Sequence, residues 1–177
     1  KFDKFIEQTK DVWTHLVDIR KSFEPRAEEL AKKYALAPYT MFIGSGALWG
    51  ETILFSMCIL EEMQWKRTRY ITSADFFHGT LELVEPGVPV FLFMGEDENR
   101  KLDERVRAFL NRGVTGDTDI NIIDTAEFAI PGLDDEFRVI VSPWILSSLI
   151  TDRLAAYYET VTKHNLNYRR YYHQFDY

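Results

Sequence analysis

The sequence predicts an α/β fold, a doubly wound parallel sheet of four or five strands flanked by helices. Residues 39–43 (Tyr-Thr-Met-Phe-Ile) form a short apolar run stopped by Gly44-Ser45-Gly46, and a helix-length stretch over residues 47–64 follows. Strand, glycine turn and helix in that order open a βαβ unit. Residues 88–94 (Val-Pro-Val-Phe-Leu-Phe-Met) are apolar almost without interruption, as a parallel strand covered on both faces must be. Strand-like and helix-like segments then alternate down the chain, the pattern of a parallel sheet with helical crossovers.

Ahead of that unit, Phe2, Phe5, Ile6, Val12, Leu16 and Ile19 recur at helical spacing, so residues 2–22 predict an amphipathic helix. Pro25 suits the first turn of a second helix over about residues 26–34, where its missing N–H is not needed. Residues 68–72 predict the next strand, 73–84 a turn and short helix, and 96–110 a helix. Residues 119–123 predict a strand and 140–164 a long helix after Pro143. The division expected is lead-in helices over residues 1–36, then an α/β subdomain over 37–177 that closes with an aromatic tail, 165–177.

The 177 residues suffice for one α/β domain with a core and are too few for two. Net charge is −7, from 21 basic and 28 acidic side chains, which weighs against nucleic-acid binding. The one basic patch, Arg169 and Arg170 among tail aromatics, is too small to reverse that balance. No stretch approaches the 18 or so uninterrupted apolar residues of a membrane span, so no membrane partner is expected. The lone Cys58 excludes an internal disulfide and a multi-cysteine metal site, and a cytoplasmic location fits. No zinc-type or calcium-loop spacing occurs, so no metal is expected. The start, Lys1-Phe2-Asp3-Lys4-Phe5, does not read as a signal peptide; without an initiator methionine, it suggests a piece of something longer.

The turn Gly44-Ser45-Gly46 offers backbone amides that could hold a phosphate, and Ser45 is a candidate substrate-binding residue. Its spacing is GxGxxxG rather than the dinucleotide GxGxxG, and the bulky Trp49 follows, so a tight structural turn is the plainer reading. Glu62 lies near the end of a helix that is apolar nearly all round, and such a helix is buried. A partly desolvated carboxyl is expected there, suited to general acid/base work at neutral pH; the alternative is that Glu61 and Glu62 mark the helix's exit into solvent. His78 follows Phe76 and Phe77 and precedes Gly79, so an accessible imidazole beside an apolar wall is expected. His15 has no partner at ligand spacing, and His164 ends the last expected helix, where a cation would meet the dipole favourably.

Taken in order, Gly44-Ser45-Gly46, Leu60-Glu61-Glu62-Met63-Gln64-Trp65, Ser73-Ala74-Asp75-Phe76-Phe77-His78-Gly79 and Glu85-Pro86-Gly87-Val88-Pro89 resemble a known family. It is the second sugar-isomerase (SIS) half of the fructosamine (fructoselysine) 6-phosphate deglycases. More distantly, the string is similar to the isomerase domain of glucosamine-6-phosphate synthase. The resemblance spans about residues 38–177, and the sixteen-residue interval from Glu62 to His78 is its specific part.

The resemblance implies an SIS-type sheet and an enzyme that deglycates a 6-phosphorylated fructosamine to glucose 6-phosphate and a free amino acid. Glu62 would move a proton between C1 and C2, and His78 would reach the site from the neighbouring subunit of a homodimer. Ring opening or amine release would be its task, and the reaction implied needs no organic cofactor. The family's tail folds over the substrate, which makes Arg170 and His173 candidate substrate-binding residues. His173 stands where the isomerases carry a lysine, which removes support for a Schiff-base step. The Ser/Thr-rich loop that holds the sugar phosphate belongs to the family's first half and is absent here, so this chain alone is expected to be inactive. Another phosphosugar isomerase or aminotransferring SIS enzyme would use the same residues, and a non-catalytic sugar-phosphate sensor is the third possibility.

Overall fold

Four strands pair in parallel in the computed structural model, which describes residues 1–113, 116 and 118–176. They are β1 (Thr40–Gly44), β2 (Thr68–Ile71), β3 (Val90–Met94) and β4 (Ile120–Asp124), in the order β2-β1-β3-β4. The expected sheet is thus present with four strands among the described residues. Tyr177, the last residue of the expected aromatic tail, lies outside them.

Alternation within the strands divides the core in two, because successive side chains point to opposite faces. Phe42, Phe91, Phe93 and Ile123 face one side and meet α2 (Val12–Tyr34) and α6 (Asp135–Leu149). Met41, Ile43, Val90, Leu92 and Met94 face the other, beneath α4 (Ser73–Phe76) and α5 (Arg100–Leu110). Burial on both faces explains why β1 and β3 carry no polar alternation. On the first face Phe42 stacks on Phe91 at 5.2 Å and meets Phe55 edge-on at 5.5 Å, and Phe55 in turn meets Tyr158 at 6.3 Å.

The N-terminal residues are part of this core. Helix α1 (Phe2–Thr9) is tied to the start of α6 by Gln8, whose side-chain amide donates to Asp134 at 2.9 Å. Helix α2 buries Leu16, Ile19, Phe23, Ala27 and Leu30. Pro25 does not open a new helix, as expected from sequence, but sits inside α2. Phe23 and Ala27, both buried, hold the helix across the lost amide bond. Pro143 is likewise inside α6, which begins at Asp135 rather than after the proline. The Val139 carbonyl that a residue-143 amide would have bonded instead accepts from the Ser142 hydroxyl at 3.3 Å.

Helix α3 (Trp49–Ile53) runs on as wide π-type turns over Leu54–Met63, and α6 runs on through similar turns, Ile150–Leu154, into α7 (Ala155–Thr162). The two wide segments pack together. By length and composition the 28-residue run Asp135–Thr162 matches a membrane span, and 50% of its most apolar window is buried within the fold.

At the carboxyl edge of the sheet, a buried acid ties three loops together. Asp103 is 1% exposed; it accepts from the Ser73 hydroxyl at 2.5 Å and from the Gly95 amide at 3.3 Å. The Ser73 amide donates to the Ser45 hydroxyl at 2.7 Å, so the segments after β1, β2 and β3 are bound to α5 through one carboxyl. Beside it Arg100 makes a bidentate pair with Asp124 at 2.9 and 2.6 Å.

Two outcomes follow from this packing. Truncating Phe42 to alanine opens a void among three aromatic neighbours and should cost about 3–5 kcal/mol, read from the urea-denaturation midpoint. Burial pushes the Asp103 carboxyl up to about 6 from 3.8, against the opposing hydrogen bonds from Ser73 and Gly95. The folded protein therefore holds a proton there, between those two values, that the unfolded chain has released. Asp103 contributes most stability below about pH 4, and that contribution is lost as pH rises through about 6. The melting temperature of the wild type, relative to Asp103→Asn, should fall across that window; parallel profiles would contradict the assignment.

Candidate functional site

The helix that follows β1 returns to the amino edge of the sheet, and its last turn is the centre of the site. The turn is closed by bonds that leave little freedom. The Gln64 amide donates to the Ile59 carbonyl at 3.1 Å and the Lys66 amide to the Leu60 carbonyl at 2.9 Å. Between them Trp65 adopts φ +53°, a left-handed cap that glycine usually fills. For a bulky aromatic this conformation costs on the order of 1–2 kcal/mol, and contacts on both sides of the ring hold it. His164 meets the indole edge-on at 4.4 Å and the Arg170 guanidinium lies 4.3 Å from the ring centre.

A cavity of about 390 Å³ opens beside this cap, between the helix end and the C-terminal tail. Glu61, Glu62, Trp65 and Lys66 line it from the helix, and Arg169, Arg170, Tyr171 and Tyr172 from the tail. The tail is seated by Gln64, which donates to the His164 carbonyl at 2.6 Å and accepts from the Thr162 hydroxyl at 2.7 Å.

Glu62 lines this cavity, but not in the apolar setting expected. Its side chain is 34% exposed and its carboxylate is paired with the Arg169 guanidinium at 3.1 Å. The greasy face of the helix points to the core through Phe55 and Leu60, while Glu61 and Glu62 emerge at its end. Glu61 is occupied by the Thr68 hydroxyl, which donates to it at 2.6 Å. Lys66 donates to the carbonyls of Ala35 and Ala37 at 2.6 and 2.8 Å, and burial lowers its ammonium from the ordinary lysine value.

His78 is exposed, on a turn reached from the opposite, carboxyl end of β2, and does not line this cavity. The phenylalanines before it do not wall the imidazole. Phe76 is fully buried in the second core, and Phe77 packs on Phe109 with the Arg105 guanidinium 4.0 Å from its ring centre. They root the turn that presents His78. Glu61 is bonded to the first residue of β2 and His78 follows its last, and four strand residues span roughly 13 Å. Within one chain, then, His78 is not part of the cavity that Glu62 lines.

Ser45 is 5% exposed, and its hydroxyl serves the edge network through Ser73. The neighbouring turn amide that could have met a phosphate, that of Ala47, donates instead to Asp97 at 2.6 Å. Gly46 has φ +55° and a Cβ there would collide with the Asp97 carboxylate at 2.1 Å, so the acid fills the glycine turn. The plainer reading of that turn is the one this geometry favours. Arg170 lines the cavity; His173, at φ +53°, packs on Tyr172 at 4.2 Å and lies just beyond it. Sequence reasoning missed Arg169 as the partner of Glu62 and Trp65 as the platform for Arg170. The only signal for either was the basic–aromatic run at residues 169–172, since nothing local connects it to residue 62.

A second cavity of about 380 Å³ lies between α2 and α6, where Trp13 stacks on Trp144 at 5.6 Å. Arg20 and Asp152 at its rim form an ion pair at 3.3 Å, and no acid–base couple faces it. Among the described residues no cluster of histidine, cysteine or acidic side chains is arranged to hold a metal ion.

No protein-family model matches the chain. Similarity to individual proteins is extensive. The fructosamine deglycase of Bacillus subtilis is 28% identical over 174 residues, 97% of this chain and 51% of that protein. The fructoselysine 6-phosphate deglycase of Escherichia coli is 29% identical over 175 residues, again 97% of this chain and 47% of that protein. The chain thus spans about half the length of these relatives. A Bacillus subtilis structure assigned as a phosphosugar isomerase superposes with a TM-score of 0.91 at 27% identity, covering 100% of this chain and 53% of that one. The C-terminal domain of glucosamine-fructose-6-phosphate aminotransferase from Francisella tularensis shares the fold at a TM-score of 0.64 and 13% identity, covering 92% of this chain and 46% of that one. By sequence and by fold the chain is similar to the fructosamine and fructoselysine 6-phosphate deglycases, and its sheet matches that of the structure assigned as a phosphosugar isomerase.

Proposed function

We propose that this chain is the base-bearing half of an enzyme that deglycates a 6-phosphorylated fructosamine to glucose 6-phosphate and a free amino acid. The observation that carries the reading is Glu62, held on a rigid helix cap in a cavity that the tail covers, in a chain similar along 97% of its length to proteins named for that reaction. In such a substrate C1 carries the amine and C2 the ketone, so the C1 proton is acidic. The Glu62 carboxylate takes that proton, and the electron pair moves through C1–C2 to give an enolamine. Returning the proton at C2 leaves an imine at C1, the proton of the amine nitrogen passing to the C2 oxygen, which becomes a hydroxyl. Water adds to the imine carbon and the amine departs, which requires a proton on nitrogen.

His78 is the proposed source of that proton. Its exposed position outside the Glu62 cavity of its own chain supports a homodimer in which the imidazole comes from the second copy. The chemistry needs neither oxidant nor reductant, since the carbonyl and imine accept the electrons in turn. Holding the sugar phosphate falls to a part of the protein outside this chain. In support, Ser45 and the Ala47 amide are already committed to Ser73 and Asp97. This chain by itself is then inactive, and activity belongs to the intact protein.

Glu62→Gln in the intact protein should lower kcat by about 10²–10⁴-fold with phosphorylated fructoselysine, measured as glucose 6-phosphate released. A near-wild-type rate would remove Glu62 from the chemistry. Mixing subunits tests the shared site. Co-refolded Glu62→Gln and His78→Ala proteins, each inactive alone, should regain roughly a quarter of wild-type activity, because half of the random dimers carry one intact site. No recovery would place both groups in a single subunit, and a His78→Ala protein active by itself would take His78 out of the mechanism.

A further inference from the structure

Arg170 differs from the other cations that line the Glu62 cavity. Lys66 is committed to two backbone carbonyls, and Arg169 to Glu62 and the carbonyl of Leu166 at 2.7 Å. Arg170 has no hydrogen bond to protein among the described residues; its guanidinium sits over the Trp65 ring, and Trp65 is itself held in a left-handed conformation. A guanidinium carried on an aromatic face keeps its N–H donors free for a planar anion.

The lining decides which anion suits it. Glu61 and Glu62 share the cavity with Lys66, Arg169 and Arg170, so the lining is left with a single positive charge in excess, which a monoanion matches better than a phosphate dianion. No helix N-terminus and no serine or threonine hydroxyl belongs to the lining, so the usual cradle of a phosphate is missing. Trp65, Tyr171 and Tyr172 supply apolar surface that fits an aliphatic spacer. Those features describe a monoanion at the end of a hydrocarbon arm. We propose that Arg170, carried on Trp65, binds the carboxylate of the amino acid joined to the sugar and thereby selects glycated amino acids over glycated amines.

This inference rests on the deglycation reading, and the experiment separates the two. The intact protein is assayed with the 6-phosphofructosyl derivative of the lysine side-chain amine and with that of 1,5-diaminopentane, which keeps the arm and the terminal amine but lacks the carboxylate. Wild type should favour the first by about tenfold or more in kcat/KM, with the difference carried by KM. In Arg170→Gln that ratio should collapse towards one, and Trp65→Leu, which removes the platform, should do the same. Arg170 is exposed, so its variant is expected to fold, which the melting temperature checks. An undiminished ratio in both variants would overturn the assignment. So would an equal loss on both substrates, the result expected if Arg170 served the phosphate or only the tail. Turnover of neither substrate by wild type would sink the deglycation reading and this inference with it.

Discussion

Everything at the site depends on burying both faces of β1 and β3. A parallel strand covered above and below must be followed by a helix that packs back across the sheet, and here that helix carries Phe55 and Leu60 against the Phe42 face. Its axis is therefore set by core packing along its whole length, and its final turn arrives at the amino edge of the sheet with no latitude. Glu62 inherits its position from that constraint. A carboxylate on a loop would need its own supports; this one is fixed by aromatic contacts several residues away.

The cap that ends the helix converts this position into a site. Gln64 and Lys66 face inward and are spent on the backbone at residues 164, 35 and 37, which joins the helix end to the tail and to the end of α2. Trp65 is turned outward by its left-handed backbone, and the tail folds over it. The tail in turn supplies Arg169 to Glu62, so the carboxylate is paired with an internal cation and the tail forms one wall of the cavity.

The carboxyl edge of the sheet, where ligands of open α/β sheets commonly bind, is filled by the protein itself. Asp97 occupies the glycine turn and Asp103 gathers Ser45, Ser73 and Gly95. The cavity at the opposite edge brings Glu61, Glu62, Arg169 and Arg170 together with the aromatic side chains of Trp65, Tyr171 and Tyr172. His78, on a turn rooted by Phe76 in the second core, does not line it.

Much of this was legible along the chain. Period-two and continuous apolar runs located all four strands, because burial on one face or two leaves its mark residue by residue. Helices α2 and α6 were legible as helices but not in their limits, since prolines 25 and 143 read as boundaries and were overridden by buried neighbours on either side. The candidate base was legible from its place at the end of an apolar helix, and His78 from a resemblance in its spacing. The sequence by itself determined the layers, the strand order's local units and the residue types available for proton transfer, because these follow from patterns within a few turns of chain. Only the tertiary structure decided that Arg169 pairs with Glu62 and that Arg170 rides on Trp65. It also decided that Asp97 fills the glycine turn and that His78 stays outside the cavity that Glu62 lines. Each of those is a contact between segments tens of residues apart or a consequence of which edge a helix reaches, and no local pattern encodes it.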